Sequence, residues 1–280
     1  MDILTNYTFQ IVALGSVLLA VAAAPVGAFS VYKGQSLIGD AIGHSTFPGI
    51  ILAYMAFATR SPVILLAGAI LAGAASYALI QLAHRDKRLG LDANLAIFLS
   101  GFFGLGMALK SFIQGNPDYA GASQAGLGTY IFGQAAYMLE ADVLLIAAIS
   151  ALVLTLLLLF YKELKLFVFD AEYAEVVGLP CRLLNLLLLV MTIAVIGIGI
   201  KAVGAILISS FLIIPCVAAN QWSNNFARVL LLSSLIGAVS ALVGTYISTL
   251  EQGMSTGPSI ILVASLIAFF SIVFGTKGIL

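Results

Sequence analysis

The chain has 280 residues, of which 62% are apolar and only 9% charged, and its mean hydropathy is +1.14. Soluble domains are roughly half apolar, so this composition excludes a water-soluble enzyme or binding module and points to an integral membrane protein. Twelve basic and twelve acidic side chains cancel, which leaves no basic field for nucleic acid and makes the placement of charge the informative quantity.

A helix needs about 20 mostly apolar residues to cross a hydrocarbon layer of roughly 30 Å. In chain order such runs fall at 9–32, 36–58, 62–84, 92–113, 142–161, 183–200, 203–219, 228–250 and 258–274. The sixth and seventh are short and meet at Lys201, so they can equally form one broken or re-entrant segment. The expected fold is therefore all-α, a polytopic integral membrane protein with eight or nine transmembrane helices in one domain spanning 1–280. The first run lacks a basic leader or a small-residue cleavage site and reads as a retained helix.

With nine spans and the loop HRDKRLG on the cytoplasmic side, nine basic residues lie inside: Lys33, Arg85, Lys87, Arg88, Lys162, Lys165, Arg182, Arg228 and Lys277. Only Arg60, Lys110 and Lys201 lie outside, a bias that sets the amino terminus outside and the carboxyl terminus in the cytoplasm. The long break 114–134 is then external and the break 161–182 internal. Cys181 and Cys216 have neither CxxC nor metal-type spacing and read as structural thiols.

Within the second run, LIGDAIGHSTFPG places Asp40 and His44 four residues apart, about 40° around a helix and so on one face. A carboxylate and an imidazole together suit Mn²⁺, Fe²⁺ or Zn²⁺, and equally a hydrogen-bonded pair that only locks two helices. Gly39 and Gly43 form a small-xxx-small pair that lets another helix or a second subunit come close. Pro48 has no N–H, which frees the His44 carbonyl as a further oxygen. Two side chains cannot fill about six coordination positions, so an ion here needs water, other helices or a second copy of the chain. His84 reads as a solvated loop residue, Glu251 as a solvated external loop acid, and Lys201 equally as an external loop residue or a gate charge.

In the internal break, Asp170 is an expected N-cap, Glu172 and Glu175 suit the positive end of a short helix, and Gly178 followed by Pro180 stops it. Such a helix either docks a soluble partner or lies on the membrane surface. No GxxxxGK[ST], HExxH or GxSxG occurs, so the chain hydrolyses no ATP through a P-loop and is not an expected protease or esterase.

Taken together, several segments resemble the membrane permease subunits of bacterial ABC importers for manganese, zinc and iron. QSLIGDAIGHSTFPGIILAY is similar to that family's second-helix motif. GFFGLGMALKSFIQ and QAGLGTYIFGQAA are similar to its fourth helix and following loop, YKELKLFVFDAEYAEVVGLP to its ATPase-coupling segment, and PCVAANQW and STGPSIILVASLIAFF to its last third. The spellings are nearest the manganese/zinc branch, while Cys216 and Asn220 depart from the family's usual small residue and arginine.

The resemblance implies that Asp40 and His44 contact the divalent ion in transit, with no permanently bound cofactor. It implies an ATPase-coupling role at about 162–182, carried by Phe169, Asp170, Glu172, Ala174 and Gly178. It implies a second copy of the chain, two cytoplasmic ATPase subunits and an extracellular or periplasmic metal-binding protein as partners, in the bacterial inner membrane. Two rival classes remain: a proton-coupled secondary transporter using Asp40 and His44 as a relay, and an intramembrane enzyme, for which no nucleophile is evident.

Overall fold

The computed structural model describes residues 6–59, 61–84, 90–116, 119, 138–250 and 254–278. Arg60, Arg85, Lys87, Arg88, Glu251, nearly all of the external break and the Lys201 side chain lie outside the described residues. Among those described, the only regular elements are helices: α1 (Tyr7–Tyr32), α2 (Ile38–Phe57), α3 (Pro62–His84), α4 (Leu91–Gly115), α5 (Glu140–Leu159), α6 (Tyr161–Phe169), α7 (Ala171–Val176), α8 (Cys181–Val203), α9 (Ala205–Asn220), α10 (Phe226–Leu250) and α11 (Thr256–Phe274).

Seven of these helices are long and apolar enough to cross a membrane: α1, α3, α4, α5, α8, α10 and α11. The expected eight or nine is thus not reached on length and apolarity alone, for two separate reasons. Helix α2 has 20 residues but carries Asp40, His44, Ser45, Thr46 and Pro48. Helix α9 is apolar but has 16 residues, a length of about 24 Å. The expected break at Lys201 moves to Gly204, where φ of +88° turns the chain between α8 and α9.

Helix α1 is the core of the bundle, with 72% of its apolar window buried, while α4 lies at the periphery with 11%. Ala22, Ala23 and Ala24 are fully buried in α1, which packs against α5, α6, α8, α9 and α10. Helix α2 is enclosed by α3, α4, α8 and α9. Its two hydroxyls are satisfied within the bundle: Ser45 Oγ donates to the Ala41 carbonyl at 2.6 Å and meets Ser76 Oγ of α3 at 2.7 Å, and Thr46 Oγ1 donates to the Gly43 carbonyl at 2.6 Å.

The α2–α3 crossing is a backbone-to-backbone contact. A Cβ on Gly49 would stand 2.2 Å from the Gly68 carbonyl oxygen, and one on Gly68 would stand 2.4 Å from that of Gly49. Neither carbonyl can rotate away without breaking its own helix. Gly49→Ala or Gly68→Ala is expected to cost about 1–3 kcal/mol through overpacking. Gly104→Ala, where nothing lies within 4 Å of the added carbon, gains helix propensity instead. Thermal unfolding of the purified protein in detergent checks this: the midpoint falls for the first two and does not fall for the third.

Candidate ion site and coupling surface

Asp40 lies in the first turn of α2 rather than midway along it, where the positive end of the helix dipole favours a carboxylate. His44 follows one turn later, and its Nε2 stands 3.4 Å from Asp40 Oδ1, with 18% of the His44 and 32% of the Asp40 side chain exposed. That separation is longer than a well-formed N–H···O contact, typically about 2.9–3.0 Å. It is close to the roughly 3.4–3.6 Å between ligands of a tetrahedral ion with bonds of about 2.1–2.2 Å. The spacing read from the sequence therefore brings the two side chains together in a pair that is open enough to admit a third party.

The neighbours on either side come from different helices. On α9, the Ser209 side chain lies beside the Asp40 carboxylate, and its hydroxyl donates to the Ala205 carbonyl at 2.9 Å. A Cβ on Gly39 would meet Leu212 Cδ1 at 2.5 Å, and one on Gly43 would stand 3.6 Å from Ser209 Oγ. The small-xxx-small pair thus receives α9, a helix of the same chain. On the other side the His44 ring meets Phe103 of α4 edge-on, with centroids 5.0 Å apart at 81°. Phe103 also packs against Phe47, and Gly106 lets α4 close over Pro48, since a Cβ there would lie 3.1 Å from the proline Cδ. A small cavity opens beside His44, bounded by Gly43, Thr46, Phe47, Ile50, Ile200 and Ala205.

Among the described residues no group of three or more His, Cys, Asp or Glu side chains comes together. The site is thus a two-residue acid and imidazole pair with Ser209 as its polar neighbour. Ser209 escaped the sequence reading because a serine in an apolar run is common; the signal was the Ser209-Ser210 pair at the start of an unusually short apolar segment. Both cysteines are free thiols, Cys216 buried and Cys181 half-buried, and His84 is exposed at the end of α3.

The internal break contains two helices rather than one. Helix α6 was not foreseen; its apolar face, Leu164 and Phe167, is buried, while Lys162 and Lys165 are exposed. Asp170 caps α7 as expected, its Oδ1 accepting from the Tyr173 N–H at 2.9 Å. The helix ends in a Schellman turn: Gly178, at φ +87°, donates to the Glu175 carbonyl and Leu179 to the Ala174 carbonyl, both at 3.0 Å. Ala174 is fully buried, whereas Tyr173, Val176 and Val177 are exposed, Val176 to 84%. Phe169 is half out of the bundle, yet its ring packs on Phe226 (5.1 Å) and Tyr32 (5.3 Å). Phe226 in turn meets Phe29, Tyr32 and Tyr161, so one aromatic cluster ties α1, α6 and α10 together at this end. The carboxyl-terminal turn closes the same end: Lys277 Nζ donates to Asn220 Oδ1, which also accepts from the Tyr32 hydroxyl.

Comparison with known proteins places these features in a family. The chain is 39% identical to the zinc transport system membrane protein TroC of Treponema pallidum, over all of this chain and 93% of the relative. It is also 39% identical to the manganese transport system membrane protein MntC of Bacillus subtilis, over 96% of this chain but 61% of that longer relative. Among solved structures, PsaBC from Streptococcus pneumoniae in complex with Fab superposes with a TM-score of 0.84 at 26% identity, covering 98% of this chain and 94% of that one. The model of the ABC 3 transport family matches residues 5–275; the chain belongs to that family and is a multi-pass membrane protein of an ABC transporter.

Proposed function

We propose that this chain is the permease subunit of an importer that carries a divalent transition metal ion, Mn²⁺ or Zn²⁺ and secondarily Fe²⁺, into the cytoplasm. The observation that carries this reading is an acid and imidazole pair set between α4 and α9 of a chain whose relatives are named for zinc and manganese transport. A relative from Haemophilus influenzae, 32% identical, is named as a probable iron transport system membrane protein and supports the third ion.

In this reading Asp40 and His44 bind the ion in passing, water and a second copy of the chain complete its coordination, and the His44 carbonyl freed by Pro48 is a further oxygen donor. Ion selectivity does not follow from the donor set, since carboxylate and imidazole accept several first-row ions in a common order of affinity. It rests instead on delivery by an external metal-binding protein. Helices α2 and α9 complete nine spans, because each is enclosed by longer helices that shield its polarity or make up its length. A proton relay through Asp40 and His44 draws no support from the fold or the relatives.

Energy comes from two separate cytoplasmic ATPase subunits that dock on α7. The support is chemical: a capped helix whose tip presents Tyr173, Val176 and Val177 to solvent, with Ala174 and Gly178 fixing its base and Phe169 fixing its root in the bundle. Such an exposed apolar cluster, on a segment too short to span, fits a groove in a soluble partner.

Two measurements check this reading. Asp40→Ala and His44→Ala, at normal membrane abundance, each lower radioactive Mn²⁺ or Zn²⁺ uptake at least about tenfold, because removing either leaves the other a one-toothed ligand. Wild-type uptake in both variants removes the pair from the path. Val176→Asp places a charge in the docking cluster and abolishes copurification of the ATPase while leaving the thermal midpoint of the membrane subunit unchanged; retained copurification assigns α7 to the membrane surface instead.

A further inference from the structure

At the cytoplasmic end of α1 the chain turns through a second Schellman motif, with Gly34 at φ +74° and the Gln35 N–H donating to the Ser30 carbonyl at 2.9 Å. The turn sends the Lys33 side chain inward, into a small polar cavity that Ser30, Gln35, Tyr77, Asn185 and Thr192 also line. Its ammonium donates to Asn185 Oδ1, and Asn185 Nδ2 donates to the Tyr77 hydroxyl at 2.9 Å. The same ammonium lies over the Phe167 ring of α6, 4.9 Å from its centroid. Every one of these partners is neutral. Burial consequently pulls the lysine down to about 8, with no opposing charge to hold it up.

A carboxylate able to supply the missing counter-charge sits on the helix that bears Phe167. Glu163 precedes Phe167 by one turn of α6, so the two share a helix face with Cβ atoms about 5–6 Å apart. Glu163 Oε2 is buried and has no hydrogen-bond partner. A buried carboxylate oxygen without a partner and a half-buried ammonium without an acid are each costly alone. Glu163 stands one helical turn from the Phe167 ring that covers Lys33, and α6 packs against α1.

Helix α6 is a short rod of nine residues between two bends in the backbone. It is broken from α5 at Phe160 (φ −100°, ψ 19°) and from α7 at Asp170 (φ −150°, ψ 85°). At its far end it continues into the proposed ATPase-docking helix. Lys33 stands seven residues before Asp40, on the turn that opens α2.

We propose that Lys33 and Glu163 are the two halves of an ion pair that is open in this conformation and closes in another state of the transport cycle. A displacement of α6 along its axis exchanges the Phe167 ring for the Glu163 carboxylate above Lys33. In closing, the pair carries motion of α7 to the turn that opens the ion-bearing helix. Both are positioning residues, distinct from the ion ligands, and the inference rests on the ATP-driven reading above.

The experiment uses the complex of this chain with its ATPase, reconstituted in proteoliposomes, and follows Mn²⁺ uptake and ATP hydrolysis together. Lys33→Met and Glu163→Gln each lower the Mn²⁺ transported per ATP hydrolysed about tenfold. The exchange Lys33→Glu with Glu163→Lys recovers the ratio to within about threefold of wild type, as a direct pair requires. Single variants with a wild-type ratio overturn the pair, as does an exchange no better than the singles. Independently of activity, Lys33→Cys with Glu163→Cys, in a background with Cys181→Ala and Cys216→Ala, forms a disulfide whose yield rises when ATP and orthovanadate trap the cycle. A yield indifferent to trapping also overturns the pair. A wild-type complex without ATP-driven uptake overturns the transport reading and the pair with it, whereas an active wild type with unaffected variants overturns the pair alone.

Discussion

A helix that carries an aspartate, a histidine, two hydroxylated residues and a proline is a poor lipid neighbour, and the rest of the bundle follows from sheltering it. An ionised side chain at the centre of an isolated membrane helix costs on the order of 2.5–3.5 kcal/mol on insertion scales. The cost falls when other helices exclude lipid and supply partners. Around α2 that exclusion is made by close approach: Gly49 against Gly68 on the α3 side, Gly39 against Leu212 on the α9 side, and Gly106 over Pro48 on the α4 side. Glycine at these points brings the backbones together, and the enclosed space leaves Asp40 and His44 partly open. The polarity of α2 and the small residues facing it are thus one feature seen from two sides.

Much of this was legible in the sequence because the governing patterns are local. Apolar runs located all of the long helices, i, i+4 spacing paired Asp40 with His44, and Asp170, Gly178 and Pro180 marked the ends of α7. What could not be read is set by contacts distant in sequence. Ser209 joins Asp40 only because α9 crosses α2 at Gly43. Helix α6 lay hidden because Tyr161–Phe169 mixes charge and apolar residues over barely two turns, and the burial of Leu164 and Phe167 under the bundle decides its conformation. The number of spans stayed open for a similar reason: α2 and α9 depend on neighbours, whereas a hydropathy reading treats each helix alone.

The end of the bundle that carries α6 and α7 is organised differently from the surroundings of Asp40 and His44. There the contacts are aromatic and convergent, with Phe226 touching rings from α1 and from both ends of α6, Tyr161 and Phe169. Edge-to-face rings are directional without being rigid, each pair contributing about 0.5–1.5 kcal/mol beyond its buried area. A joint of this kind holds α6 at both of its ends, through Tyr161 and Phe169. The Asp40–His44 pair is framed instead by close backbone contacts, Gly49 against Gly68 and Gly106 over Pro48.

Helix α4 illustrates a further result of this arrangement. It is the least buried of the long helices, yet Phe103 and Gly106 on its inner edge close over His44 and Pro48, while Gly101 and Gly104 have open space around them. Over evolutionary time the two edges of this helix are under unequal constraint. The outer edge is free to drift among residues that lipid accepts, adapting the protein to membranes of different thickness and composition. The inner edge is held by its packing on His44, Phe47 and Pro48, so a substitution there reaches the Asp40–His44 pair while the remainder of the bundle is left alone.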